Sequence, residues 1–236
     1  MNIQGNILAN RSDNGRYIAL RSNANDILSL AHGKSYIYKR SRGQLKSLAV
    51  SDDGNLVAGF AVSSYLGLIQ LFDASDMQVP LDEKVWMNGY GSSVAINNDS
   101  TMIAVGSPNE RTVYTYSLTG GSFHSEKRIK LINSDVNDFG SKVALSENGE
   151  TIAIASPHSH DQVRDVEAGG IHVYVLINER WIPVAVILYG RDSMRRLGVG
   201  GLAVDDKNAR VDAIDENEIY SFEVSSKHRS LNLYRN

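Results

Sequence analysis

The chain has no cysteine, and among its 236 residues there are only four prolines and two tryptophans. Without cysteine, disulfides and thiolate metal sites are excluded, and packing alone must hold the fold. A chain of this length buries a core large enough to do so. No apolar run approaches the ~18 residues of a membrane-spanning helix. The opening segment Met1-Asn2-Ile3-Gln4-Gly5-Asn6 has neither the basic nor the apolar part of a signal peptide. The expectation is therefore a protein with no membrane span, cytoplasmic or held within a larger assembly. An excess of one charge is missing too: 24 Lys and Arg stand against 27 Asp and Glu, a net charge of −3. The short basic stretches at 39–42, 127–128 and 191–196 read as solvated loops, so no nucleic-acid partner is expected.

What is present is a repeat. Phe139-Gly140-Ser141-Lys142-Val143-Ala144-Leu145-Ser146, the turn Glu147-Asn148-Gly149-Glu150, and Thr151-Ile152-Ala153-Ile154-Ala155-Ser156-Pro157 precede a polar loop and Gly170-Ile171-His172-Val173-Tyr174-Val175-Leu176. The same order runs from Tyr90-Gly91-Ser92-Ser93-Val94-Ala95-Ile96-Asn97 through Met102-Ile103-Ala104-Val105-Gly106-Ser107-Pro108 to Thr112-Val113-Tyr114-Thr115-Tyr116-Ser117-Leu118. Three weaker copies surround Gly15, Gly54 and Asn208, and their third segments are expected at Ser35–Tyr38, Gly67–Phe72 and Glu218–Phe222. The turn anchors Gly15, Gly54, Ser100, Gly149 and Asn208 recur at roughly 40–60 residues, the period of fixed strands joined by variable loops.

The physics of one unit follows from its residues. Asn148-Gly149 and Asp53-Gly54 are expected to supply the positive φ angles of a tight hairpin. The flanking segments alternate with period two, so each hairpin has an apolar face. Ala95, Ala104, Ala144 and Ala153 on one face let a neighbouring sheet come close. A fourth strand is expected at Lys84–Met87, Ile129–Ile132 and Trp181–Ile187, with Pro183 suited to an outer edge because it cannot donate to a ladder. Tyr36, Tyr38, Tyr114, Tyr116, Tyr174 and Tyr220 fall at one place in the unit, which argues packing. The fold class expected is all-β: a β-propeller of five blades of four antiparallel strands, one domain over 1–236, with blades at about 1–42, 43–88, 89–138, 139–190 and 191–236.

The copies at Phe139–Leu176 and Tyr90–Leu118 resemble the FG-GAP repeat of integrin-alpha-type propellers. The residues that carry the resemblance are Phe139-Gly140-Ser141, the Asn148-Gly149 turn, Ile154-Ala155-Ser156-Pro157 and Gly170-Ile171-His172-Val173-Tyr174. The resemblance implies a propeller whose loops between second and third strands lie on the ligand-binding face. It also implies a calcium loop between the first two strands, but Asn97-Asn98-Asp99-Ser100 and Ser146-Glu147-Asn148-Gly149 carry too few carboxylates for one. Propellers of that family usually have seven blades, against five units here.

The loop after the second strand of the fourth unit holds His158, His160, Asp161, Arg164 and Glu167. His-x-His with a nearby carboxylate is half of a metal site on paper. With nothing else in the sequence aimed at it, the loop is expected to bind a partner protein and to hold no metal. No catalytic residue and no cofactor is expected. Gly198-Val199-Gly200-Gly201 lacks the Lys-Ser/Thr of a phosphate loop and reads as a degenerate copy of Phe139-Gly140-Ser141. Asp205 and Asp212 read as parts of a solvated hairpin. The function expected is a non-catalytic protein-interaction or assembly component. The alternatives are a glycan-binding propeller, for which tryptophan occurs in only two units, and a hydrolase with carboxylates in a central channel.

Overall fold

The computed structural model describes residues 8–11, 18–21, 26–31, 34–39, 44–51, 55–63, 66–73, 81–87, 93–130, 136–161, 163, 165–184, 188–190, 196–205, 209–215, 218–225 and 230–235. They form five antiparallel sheets and no α-helix. The first sheet runs β1 (Leu8–Arg11), β2 (Ile18–Arg21), β3 (Asp26–Ala31), β4 (Lys34–Lys39), and the second β5 (Gln44–Val50), β6 (Leu56–Ser63), β7 (Leu66–Asp73), β8 (Asp82–Met87). The third holds β9 (Ser93–Ile96), β10 (Met102–Ser107), β11 (Thr112–Thr119) and β12 (Ser122–Lys130). The fourth chain segment supplies β13 (Lys142–Leu145), β14 (Thr151–Ser156), a short ribbon of β15 (His160–Asp161) and β16 (Val166–Glu167), then β17 (Gly170–Ile177), β18 (Arg180–Pro183) and β19 (Leu188–Tyr189). The fifth sheet runs β20 (Gly201–Asp205), β21 (Arg210–Ile214), β22 (Ile219–Ser225), β23 (Ser230–Arg235). Every sheet is a meander in which each strand pairs with the next, apart from the ribbon, and β18 and β19 both pair with β17.

Period-two alternation decides which residues fill which layer. On β14, Ile152 and Ile154 point toward the third sheet and pack with Ala104, Val113, Phe139 and Val143. Ala153 and Ala155, between them, point toward the fifth sheet and pack with Val204, Val211 and Phe222. The layer between the second and third sheets holds Leu56, Ile69, Leu71, Ile103, Val105 and Tyr116. Each fully buried Ile or Leu in such a layer contributes about 1.5–3 kcal/mol relative to exposure. First strands follow one another in chain order: β1 lies beside β5, β5 beside β9, β9 beside β13, and β13 beside β20. Among the described residues no strand of the first sheet is set beside β20 in this way, and no closed barrel or ring is formed.

Polar bonds stitch the layers. The Ser47 hydroxyl accepts from the Val94 N–H at 3.1 Å, and one sheet further on Ser93 accepts from the Val143 N–H at 3.1 Å. Trp181 Nε1 donates to Thr115 Oγ1 across the third and fourth sheets at 2.9 Å. Gly140, at φ +95°, leads into β13 so close to the third sheet that a Cβ added to Gly106 would lie 1.9 Å from its carbonyl oxygen. Gly198 stands in the same relation to Ala155, where an added Cβ would meet the alanine methyl at 2.7 Å.

Two local expectations are corrected. In the first unit the third strand is β3, Asp26–Ala31, and the segment Ser35–Tyr38 lies in the outer strand β4. Tyr36 and Tyr38 therefore do not share a place with the third-strand Tyr114, Tyr116, Tyr174 and Tyr220. In the fourth unit only Gly149 of the Asn-Gly pair has positive φ, +72°. The turn is closed by the Gly149 N–H on the Ser146 carbonyl at 3.0 Å, and Ser100 fills Gly149's place in the third sheet at φ +61°. These turns are braced from one buried position. Ser51 Oγ, Asn97 Oδ1 and Ser146 Oγ accept the N–H that opens the second strand of their sheets, from Leu56, Met102 and Thr151, at 3.1, 2.7 and 2.9 Å.

Candidate functional site

The third and fourth sheets differ most between their second and third strands. In the third, Pro108–Glu110 makes a single 3-10 turn, and Arg111 at φ +50° leads straight into β11. In the fourth, Pro157–Gly169 leaves the sheet, forms the β15–β16 ribbon and returns. The sequence suggests only a polar loop here; the structure gives it a built base and a paired stem.

Its base is buried and tied down. The Ser159 N–H bonds the Ser156 carbonyl at 3.0 Å, and the Gly169 N–H returns to the Ser159 carbonyl at 3.1 Å. Ser159 and Ala168 are fully buried. The segment entering the fifth sheet is fastened to this base, with the Leu197 N–H on the Ala168 carbonyl and the Gly190 N–H on the Gly169 carbonyl, both at 3.1 Å. In the ribbon His160 pairs with Glu167 and Asp161 with Val166. Asp161 is buried, and its Oδ1 accepts from the Val163 N–H at 3.0 Å, which turns the tip as aspartate commonly does. Val163 at the tip is 94 % exposed.

The five candidate residues are thus shared out. His158 bonds Asp138, which precedes Phe139. His160 meets Asp165 at 3.4 Å, while Glu167 faces Arg196 with 3.3 Å between Oε1 and Nε. Asp161 shapes the turn, and Arg164 lies outside the described residues. His158 and His160 engage different carboxylates, and among the described residues no group of three His, Asp or Glu comes together to hold a metal ion. These are part-exposed pairs of small individual worth.

Beneath the ribbon lies a buried polar pair that sequence reasoning missed. Ser156 Oγ is 2.8 Å from His172 Nε2 and donates to the Gly170 carbonyl at 3.1 Å. His172 packs edge-on against the Phe139 ring, centroids 5.0 Å apart. Burial pushes the imidazole down to about 4, so it is neutral in the fold at pH 7. With its proton committed to a carbonyl and no route to solvent, Ser156 is structural. The only signal was His172 itself, an imidazole in an otherwise apolar strand. In the third sheet Tyr114 replaces it; burial and its bond to the Glu110 carboxylate push that phenol up to about 12.

Two other candidates resolve as structure. Asp212 accepts from the Ser221 hydroxyl at 2.6 Å and from Arg210 at 2.9 Å. Trp181 is partly buried with its N–H engaged on Thr115, so it offers no free aromatic plane for a sugar. No helix among the described residues is long and apolar enough to cross a membrane. No protein-family model matches the chain, and no curated protein is significantly similar to it.

Proposed function

We propose that the five meanders are propeller blades of the FG-GAP kind, and that the chain is a non-catalytic interaction or assembly component which presents the β15–β16 ribbon to another protein. The observation that carries this reading is the ribbon itself. The third sheet makes the same connection with one 3-10 turn, so the fold has no need of the longer excursion. A projection with a buried base and an exposed tip is a rigid epitope, and rigidity lowers the entropy cost of docking. Its chemistry suits a protein surface: the apolar Val163 at the tip, with His160, Asp165 and Glu167 around it. In propellers of the resembled kind, loops at this place lie on the ligand-binding face.

The test replaces residues 160–167 by Asn-Gly and leaves the base, Pro157–Ser159 and Ala168-Gly169, in place. Affinity capture from the native source is compared between the two proteins by quantitative mass spectrometry. A specific partner lost at least tenfold from the shortened variant, with an unchanged melting temperature, is the expected outcome. An identical set of bound proteins would remove the ribbon as the contact.

A further inference from the structure

We propose that the outward face of the fifth sheet is a docking surface for the first sheet of a second copy of this chain. A cross-strand row of small residues marks the face that each sheet turns to its successor. In the second sheet the row is Ala49–Ala58–Leu71, packed against the third sheet. In the third it is Ala95–Ala104–Thr115, facing the fourth sheet through the Phe139 cluster and Trp181. In the fourth it is Ala144–Ala153–Val173, packed against the fifth. Small side chains in the first two strands let the next first strand lie close.

The fifth sheet repeats the row as Ala203–Asp212–Ser221. Ala203 is exposed, whereas Ala49 and Ala144 are buried. Toward one end of the same face Ile214 and Ile219 pair with each other and stand 37 % and 55 % exposed, beside Val199 at 38 %. This face keeps the alanine that receives a successor and adds apolar side chains that a successor would cover. Asp212, held by Ser221 and Arg210, keeps it soluble while it is open. β5, β9, β13 and β20 each lie beside a preceding first strand, and β20 has no successor among the described residues. The surface that fits it is the predecessor-facing side of β1, the one first strand without a neighbour on that side. The contact joins two different patches, so it is head-to-tail and propagates to a closed ring or a filament. It rests on the stacking of the sheets and not on the ribbon, so either proposal survives the failure of the other.

The absence of cysteine gives a direct test. Chains carrying Ala203→Cys are mixed with chains carrying Ala9→Cys, on β1, and oxidised. A covalent heterodimer, with wild-type mass by light scattering rising with concentration to twice the protomer or more, is the expected result. Ile219→Lys, at an exposed position, should hold the protein monomeric with an unchanged melting temperature. A wild type that stays monomeric at every concentration would overturn the proposal. So would an Ala9→Cys/Ala203→Cys double variant that closes on itself within one chain, because the chain's own first sheet would then fill the face.

Discussion

The third and fourth sheets are near-copies built over the same row of alanines, yet they spend their second-to-third connections differently. One closes it with Pro108–Glu110; the other extends it into a ribbon with a buried base. The polar residue at the end of each second strand differs accordingly. Ser156 bonds His172 and the Gly170 carbonyl, whereas the buried Ser107 hydroxyl makes no hydrogen bond among the described residues. The lesson is that the sheets fix the scaffold while the connection is free to carry function, because a longer loop costs little closure entropy.

The comparison can be broken most severely at Phe139, which is fully buried and holds both the third-sheet layer and the His172 ring. Phe139→Ala should cost about 3–5 kcal/mol by chemical denaturation. Phe139→Leu should cost less, since Leu197 serves fully buried in the corresponding place before the fifth sheet.

His172 provides the next largest effect. It is neutral in the fold down to about pH 4 but protonates near 6.5 in the unfolded chain. Its contribution is therefore intact above pH 6.5, falls away between 6.5 and 4, and amounts to about 3 kcal/mol. Replacing it with the aromatic found at the equivalent site, His172→Tyr, should flatten this segment of the stability–pH curve. A wild-type curve with no slope there would show that the imidazole is solvated.

The serines sharpen the contrast further. Ser156→Ala leaves a buried imidazole nitrogen without its partner and should cost about 1–3 kcal/mol, while Ser107→Ala removes an unpaired hydroxyl and should be neutral or slightly stabilising. Equal losses at the two sites would mean that Ser107 has a partner after all. The smallest effect belongs to the ribbon: replacing 160–167 by Asn-Gly should change stability by less than about 1 kcal/mol, because its surface ion pairs contribute little. A larger loss would make the ribbon part of the scaffold.

Much of the scaffold was legible in the residues. Alternation in Thr151–Ser156 and Met102–Ser107 names strands and even their two faces, since side chains on a strand point alternately to opposite sides. The fourth strands at Lys84–Met87 and Trp181–Pro183 and the final strand around Leu231–Tyr234 were also readable. β3 was not, because Asp26–Ala31 alternates no more clearly than its surroundings and is made a strand by its partners β2 and β4. The ribbon was missed for the same reason. His160-Asp161 and Val166-Glu167 have no strand pattern of their own, and pairing depends on how Ser156 and Gly169 hold the two ends.

By itself, then, the sequence determined the all-β class, the tandem units and the placement of most strands, because hydrophobic period and turn chemistry are local. Tertiary structure decided what lies against what: that His172 is buried beside Ser156, that His158 and His160 part to separate carboxylates, and that Ala203 is open where Ala49 and Ala144 are covered. Those outcomes depend on contacts between residues far apart in the chain. An alanine reads the same whether or not another sheet comes to lie upon it.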